Sequence, residues 1–317
     1  MAETTSGPPT PRTAGEVLAR SRQFFDAKGV ENPRLEAELL VGHAIGMDRL
    51  GLYMAMERPL DTDELETARD LVARRAKGEP TAYLLGFREF YGRRFSVAPG
   101  VLIPRPETEL LVDRARAIAE ELEPKEKVTP FVAGVSDLPK DATERRITAC
   151  DIGTGSGCIA ITVALEVPLV RMLAIDISPD ALAIARANGE ALEVPKTRLG
   201  FKAGDGFEVM AQVAPQGVDL LLSNPPYIDP GDRVNLELHV RKHEPDVALF
   251  APGGDPDFWA RTMMERREQL LTPRGRALVE LGFDQAARLG QLAARLGVQA
   301  QVHQDLDGIP RLLEFGR

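Results

Sequence analysis

The chain of 317 residues carries a formal charge of −9 and a pI near 5.2, with 44% hydrophobic and 27% charged residues. That is the composition of a soluble globular protein with room for two domains, and it lacks the basic excess of a duplex-binding protein. Two cysteines without C-x-x-C spacing argue against a disulfide framework or a zinc site and fit a reducing cytoplasm, and no apolar run approaches the ~20 residues of a membrane span.

Residues 1–15 are polar and proline-rich and predict a frayed tail without the apolar core of a signal peptide. Apolar residues at helical spacing predict helices over 16–28, 33–45 and 61–77, with Pro33 at a first helical position and Asp61 or Thr62 as an N-cap. These make a helical domain over 16–86. Acidic and basic residues nearly balance across residues 1–100, so this domain is no basic arm. The clusters Arg74-Arg75-Ala76-Lys77 and Arg93-Arg94 read more simply as solvated faces than as a docking patch. Residues 88–97 alternate around Tyr91-Gly92, which predicts a β-hairpin within a linker over 87–103.

From Arg105 onward, helical patterns alternate with short apolar runs, the signature of an α/β domain with a parallel, doubly wound sheet over 104–317. A helix over 105–122 precedes a charged, proline-containing stretch, 123–146, that reads as a surface insertion. Strands are predicted over 147–152, 171–175, 198–202 and 218–223, with a helix over 158–165 and another over 256–271 headed by Phe258 and Trp259 as core residues. Two last strands, 298–304 and 311–315, flank a Gly308 turn and are expected to pair antiparallel at the sheet edge. Cys150 and Cys158 read as buried core residues.

The chemistry sits at the ends of these strands. After the first comes Gly153-Thr154-Gly155-Ser156-Gly157, where glycines allow a tight turn and let backbone N–H groups approach a ligand. The dinucleotide fingerprint needs a sixth-position glycine, and Cys158 stands there, so a methionyl group suits the turn better than a pyrophosphate. Asp176 ends the second strand at the position of a ribose-diol ligand, and Asp205-Gly206 follows the third, placed for an adenine amine. The fourth ends in Asn224-Pro225-Pro226-Tyr227. Two prolines make an extended segment without N–H donors, leaving the Asn224 side-chain carbonyl and the Pro225 backbone carbonyl to accept both hydrogens of a planar NH₂ group, while Tyr227 stacks on the target. Such a grip positions the nitrogen for in-line attack on the methyl of S-adenosylmethionine. No strong base is needed, because the nitrogen sheds its proton after it becomes cationic. His239 and His243, four apart with Glu244 beside them, lack the order of a metal-binding helix, and no metal is expected.

With Asn224-Pro225-Pro226-Tyr227-Ile228, the glycine turn, Arg34 to Leu40, Arg74 to Gly86, Leu102 to Val112 with its Ile-Pro-Arg-Pro-Glu-Thr-Glu core, Asp176 to Leu182 and His243-Glu244-Pro245, the chain resembles the HemK-type peptide chain release factor glutamine methyltransferases. The resemblance implies a Rossmann-like class I S-adenosylmethionine-dependent methyltransferase fold behind a smaller N-terminal helical domain that docks the substrate. It implies transfer to the side-chain amide of the glutamine in the Gly-Gly-Gln motif of bacterial-type release factors. It implies cofactor contacts from Gly153 to Gly157, Asp176, Asp205, Gly206 and Asn224, a substrate grip by Asn224 to Tyr227, and a pocket lined also by residues 103–106. Gly206 departs from the aromatic residue common in relatives, so a stacking contact on adenine is either missing or supplied by Phe207. His239 replaces a usual acid, and 123–146 is an insertion. A nucleic-acid amino-methyltransferase is the alternative reading of Asn-Pro-Pro-Tyr, disfavoured by the acidic balance and the absence of a separate target-recognition domain. A degenerate binding scaffold is a third, disfavoured by the intact glycines and Asn224.

Overall fold

The computed structural model describes residues 13–122 and 147–317; the expected insertion at 123–146 and most of the expected tail lie outside the described residues. The chain divides into two units, Met1–Gly86 with Leu238–His243, and Phe87–Glu237 with Glu244–Arg317.

The first unit is helical: α1 (Ala14–Lys28), α2 (Pro33–Ala44), α3 (Arg49–Met54), α4 (Thr62–Ala76) and α5 (Thr81–Leu85). Helix α1 begins before the expected end of the frayed tail. Thr13 and Glu16 form a reciprocal capping box, and Ala14 is buried, so residues 13–15 are helix start, not tail. Asp61 caps α4 with Glu64 in the same way, as expected. The short α3 and α5 span too few residues for a helical period to register in sequence. Phe25, Ala37, Leu40, Val41, Leu52, and Leu71 fill the core.

The motif Arg34 to Leu40 is a staple of this unit. Glu38 is buried and accepts from Arg34 at 2.8 Å, Arg49 at 2.6 Å and the Tyr53 hydroxyl; Glu36 accepts from Arg75 at 2.6 Å and from Thr81. Burial opposes the Glu38 charge, but the hydrogen bonds from Tyr53, Arg34 and Arg49 outweigh it and hold the carboxyl at about 2. A depressed carboxyl stabilises the fold fully above its usual range, and that contribution disappears as pH falls from about 4.5 towards 2. Glu38→Gln is expected to cost about 2–3 kcal/mol at pH 7, read by denaturant unfolding, and to flatten the acid dependence below pH 4.5. The basic clusters are largely matched by local acids: Arg74 pairs with Glu79 at 2.6 Å and Arg93 with Glu166 at 2.5 Å.

The second unit opens with the predicted hairpin, β1 (Phe87–Phe90) and β2 (Arg93–Ser96). Tyr91 and Gly92 both have positive φ, 51° and 70°, as a two-residue turn of this hand requires. The unusual conformation of Tyr91 is supported by Glu109, which accepts its N–H at 2.7 Å. Helix α6 (Glu109–Glu121) follows, then β3 (Ile147–Ile152), α7 (Cys158–Glu166), β4 (Val170–Asp176), α8 (Pro179–Ala191), β5 (Leu199–Ala203), α9 (Gly206–Val213), β6 (Val218–Ser223), β7 (Leu271–Glu280), β8 (Ala300–Gln304) and β9 (Pro310–Gly316).

The seven-stranded sheet has the order β5-β4-β3-β6-β7-β9-β8, parallel except for the antiparallel pairs of β9 with β7 and β8. Both faces are covered, which explains the near-continuous apolar runs of the inner strands. Ala149, Met172, Leu220 and Leu222 pack on one face with α6 and α7. Cys150, Leu173, Ile175 and Leu221 pack on the other, against α9 and the helix Phe258–Glu265. The buried Cys158 thiol is pushed up to about 12 by desolvation, and neither cysteine is in a disulfide. The predicted helix over 256–271 is broken: Phe258–Glu265 ends at Arg266, Arg267–Leu270 follows, and Leu271 already opens β7. No helix among the described residues is long and apolar enough to cross a membrane.

Candidate active site

Strands β3, β4, β5 and β6 run parallel and end at one rim, and the strand order reverses between β3 and β6. Open α/β sheets bind ligands in the crevice at such a switch point. The four strand-end segments singled out from sequence all lie here, and neighbours are tied together. Gly155 N–H donates to Asp176 Oδ2 at 2.8 Å, Gly204 N–H donates to the Asp176 carbonyl at 3.0 Å, and Ser223 Oγ donates to the Ile152 carbonyl at 2.8 Å.

Gly153, Gly155 and Gly157 have φ of 75°, 55° and 81°, a region that side-chain-bearing residues enter at a cost of roughly 1–2 kcal/mol. They are not equivalent. A Cβ on Gly153 would meet nothing within 4 Å, and one on Gly155 would reach only Val101 at 4.0 Å, so both face open space. A Cβ on Gly157 would lie 2.8 Å from Ile161 Cδ1 and 3.1 Å from Ala185 Cβ, so this glycine lets α7 and α8 approach. Four of the loop's five N–H groups already have partners within the protein. Those of Gly153 and Thr154 donate to the Ile175 carbonyl, that of Gly155 to Asp176, and that of Gly157 to the Thr154 carbonyl. They hold the loop's shape instead of waiting for a ligand.

The side chains of Thr154 and Ser156 are buried. Thr154 Oγ1 donates to Asp151 Oδ2 at 2.7 Å, and burial beneath the loop pushes the Asp151 carboxyl up to about 7. Asn188 supports the loop from α8: it accepts from Ser96 N–H at 2.8 Å and donates to the Ser96 and Ser156 carbonyls at 3.0 and 2.9 Å. Nothing in the sequence distinguishes this asparagine from a solvated helical residue.

Asp176 is nearly buried, and desolvation raises its carboxyl against the pull of the Ser178, Gly155 and Ile177 N–H groups. Hydrogen bonds from Gly155 and Ser178, with Ile177 N–H also drawn to it, use part of its acceptor capacity and leave the rest for a ligand. The adjoining Ile177 is 62% exposed, an apolar surface beside that carboxylate. Asp205 Oδ1 caps α9, accepting from Phe207 N–H at 2.9 Å and Glu208 N–H at 3.1 Å, so only part of its carboxylate is available. Gly206 sits directly on the end of β3, where a Cβ would lie 2.4 Å from Ile152 Cγ2. Phe207, the expected source of a stacking contact, is itself buried, stacked on Trp259 at 5.3 Å, with the Arg266 guanidinium 5.1 Å from its ring centroid. As the second residue of α9 it turns into the core, where Trp259 itself is only half-buried.

Asn224 Nδ2 donates to Thr108 Oγ1 at 3.2 Å, so its Oδ1 points away from that hydroxyl. Pro225 is buried, and Ile228 bridges to Phe250, which anchors the segment on its far side. Tyr227 lies close over Gly282, whose Cβ would meet its ring at 3.1 Å; burial raises its hydroxyl. The segment at 103–106 is held by Glu244, which is buried, pairs with Arg105 at 2.6 Å and accepts from Ile103 N–H at 3.4 Å. Two stretches that separately carry the family resemblance, 103–106 and 243–245, are thus joined in the structure. Sequence reasoning missed Thr108 and Glu280 as individual residues here. Glu280 ends β7 as Asp176 ends β4, so an acid closing an apolar run was the available signal. Among the described residues no three His, Cys, Asp or Glu side chains group as a metal site requires.

Comparison with known proteins places this geometry. Residues 16–86 match the PrmC N-terminal domain and residues 135–244 the Methyltransferase small domain. The release factor glutamine methyltransferase of Geobacter sulfurreducens is 38% identical over 95% of both chains. That of Chlorobaculum tepidum is 39% identical over 93% of this chain and 94% of its own. In fold, the hMettl16 catalytic domain, solved in complex with a 3′UTR hairpin, superposes with a TM-score of 0.51 at 16% identity, covering 77% of this chain and 80% of that one. Its glycine turn, Asn-Pro-Pro-Tyr rim and near full-length similarity to these relatives show that the chain belongs to the release factor glutamine methyltransferase family.

Proposed function

We propose that this chain transfers a methyl group from S-adenosylmethionine to the side-chain amide nitrogen of the glutamine in the Gly-Gly-Gln motif of a bacterial-type release factor, in the cytoplasm where translation terminates. The observation that carries the reading is the orientation of Asn224. Its NH₂ is engaged by Thr108, which leaves its carbonyl oxygen as the acceptor for a target N–H.

The rim fits the cofactor. Open space above Gly153 and Gly155 accommodates the methionyl part, the remaining acceptor capacity of Asp176 suits a ribose hydroxyl, and exposed Ile177 offers an apolar face to the base. Bound there, S-adenosylmethionine supplies an electrophilic methyl on sulfur and a neutral thioether leaving group. The protein's part is placement. Asn224 Oδ1 and the Pro225 carbonyl take the two hydrogens of the glutamine amide and favour the pyramidal geometry in which its nitrogen presents a lone pair. The N–C bond forms as the C–S bond breaks with its electron pair going to sulfur, and the nitrogen then loses a proton to water. Tyr227 covers the planar target and keeps water from the line of attack. Positioning of this kind is worth many orders of magnitude in rate without an acid or base.

The test is transfer of a labelled methyl from S-adenosylmethionine to a purified bacterial release factor, beside the same factor with its Gly-Gly-Gln glutamine changed to alanine. Label on the first alone is the expected result. Label on neither, with the cofactor bound in calorimetry, overturns the substrate, and label on RNA or DNA instead supports the nucleic-acid alternative.

A further inference from the structure

We infer that Phe283 is a specificity-determining residue of this site, a flat apolar platform for the bare glycine backbone next to the target glutamine. The inference rests on the proposed Gly-Gly-Gln substrate and deepens it by naming the side chain that reads the glycines.

A single exposed apolar side chain is ordinary on a protein surface. Position and a fixed backbone set this one apart. Strands β6 and β7 run parallel with Ser223 opposite Val279, so Asn224 to Tyr227 and Glu280 to Phe283 leave the sheet side by side at the same rim. The two exits meet, because a Cβ on Gly282 would lie 3.1 Å from Tyr227 Cδ2 and 3.5 Å from its Cε2. The residue after this contact is Phe283, 74% exposed. The chain on either side of it is pinned. Leu281 is buried, and its N–H donates to the Arg311 carbonyl at 2.8 Å. Gln285 is buried as well; its Oε1 accepts from Gly282 N–H at 2.6 Å, and its Nε2 donates to the Pro256 carbonyl at 2.7 Å and to Asp257 Oδ1 at 3.0 Å. Arg288 ties the loop down further, pairing with Asp284 at 2.9 Å and Asp257 at 3.1 Å. A fixed backbone thus exposes an aromatic ring one residue beyond the glycine that packs on Tyr227, the ring proposed to cover the glutamine.

Glycine is the residue that such a platform suits. A ring lies flat against a peptide plane only where no Cβ stands between them, and the two residues before the target glutamine have none. The acceptors proposed on Asn224 and Pro225 address the side-chain amide alone, so they cannot tell one exposed glutamine from another. Phe283 supplies that discrimination from outside the reacting centre, where it adds binding without touching the methyl or the nitrogen.

In Phe283→Ala, KM for the release factor should rise roughly tenfold, the scale of one aromatic contact, with kcat within about twofold, as expected when binding common to ground and transition states is lost. The melting temperature and the affinity for S-adenosylmethionine should stay at wild-type values. Phe283→Tyr and Phe283→Trp should retain KM, whereas Phe283→Leu, apolar but without a flat face, should lose nearly as much as alanine. The deciding measurement is a double-mutant cycle across the complex, using a release factor whose second Gly-Gly-Gln glycine is changed to alanine. That change should lower kcat/KM more for the wild-type enzyme than for Phe283→Ala, because the ring it obstructs is already gone. Wild-type KM in Phe283→Ala, an equal penalty for the alanine-bearing factor with both enzymes, or a weakened cofactor affinity in place of a raised KM overturns the platform. Absence of methylation by the wild-type enzyme overturns the proposed substrate and the platform with it, so the two failures are distinguishable.

Discussion

Asn224→Ala is expected to lower kcat for release-factor methylation about 10²- to 10³-fold, while affinity for S-adenosylmethionine changes by less than about tenfold. The expectation follows from where the side chain stands. Its NH₂ group is anchored on buried Thr108, so its oxygen is a preset acceptor at the carboxyl end of β6, beside the open switch point of the sheet. Truncation removes one of the two acceptors proposed to hold the glutamine amide and leaves it free to rotate, which acts on the reacting geometry more than on binding. The same change strips Thr108 Oγ1 of a donor, a loss of about 1 kcal/mol in stability that a thermal melt should detect as a small shift. Steady-state kinetics with a saturating release factor separates the two effects. A kcat within threefold of wild type would remove Asn224 from the catalytic machinery and leave the Pro225 carbonyl as the principal grip.

Two neighbouring glycines should fail differently. Gly157→Ala places a methyl 2.8 Å from Ile161 Cδ1 and 3.1 Å from Ala185 Cβ at a φ of 81°. Left-handed strain of roughly 1–2 kcal/mol adds to overpacking of roughly 1–3 kcal/mol, so the domain should lose about 2–5 kcal/mol in denaturant unfolding. Gly153→Ala carries the strain alone, because its methyl would project into open space. Its stability cost should stay near 1–2 kcal/mol. Its binding of S-adenosylmethionine in calorimetry should fall at least tenfold, since the methyl occupies the face assigned to the cofactor. Wild-type affinity in Gly153→Ala would show that this open face is not where the cofactor lies. Equal stability losses in the two variants would contradict the distinction between an open and a packed glycine.

Much of this protein was legible without coordinates, and for identifiable reasons. Strands β3 and β6 were bounded at 147–152 and 218–223 because a strand buried on both faces is a continuous apolar run, stopped by glycine in one case and by Asn224-Pro225 in the other. The hairpin at Tyr91-Gly92 and the strand-end residues of the rim followed from local chemistry of the same kind, whereas the antiparallel last pair was expected from the fold that the chain resembles. Helix α1 starts two residues before the expected position 16 because the Thr13–Glu16 capping box closes its first turn directly after the proline-rich prefix. The helix near Trp259 was overextended because nothing local marks the break at Arg266. What the sequence by itself determined was therefore whatever one short segment's own backbone preferences decide: the elements, their order, and the residue types at each strand end. Only the tertiary structure decided which partners those residues keep. It showed that four of the five glycine-loop N–H groups are used internally, that Phe207 turns into the core against Trp259, that Glu244 holds the Ile103–Arg105 segment, and that Thr108 reaches Asn224 across 116 positions of chain. Hydrogen bonds between residues so far apart leave no periodic trace, because their geometry exists only once the sheet has brought the ends of its strands together.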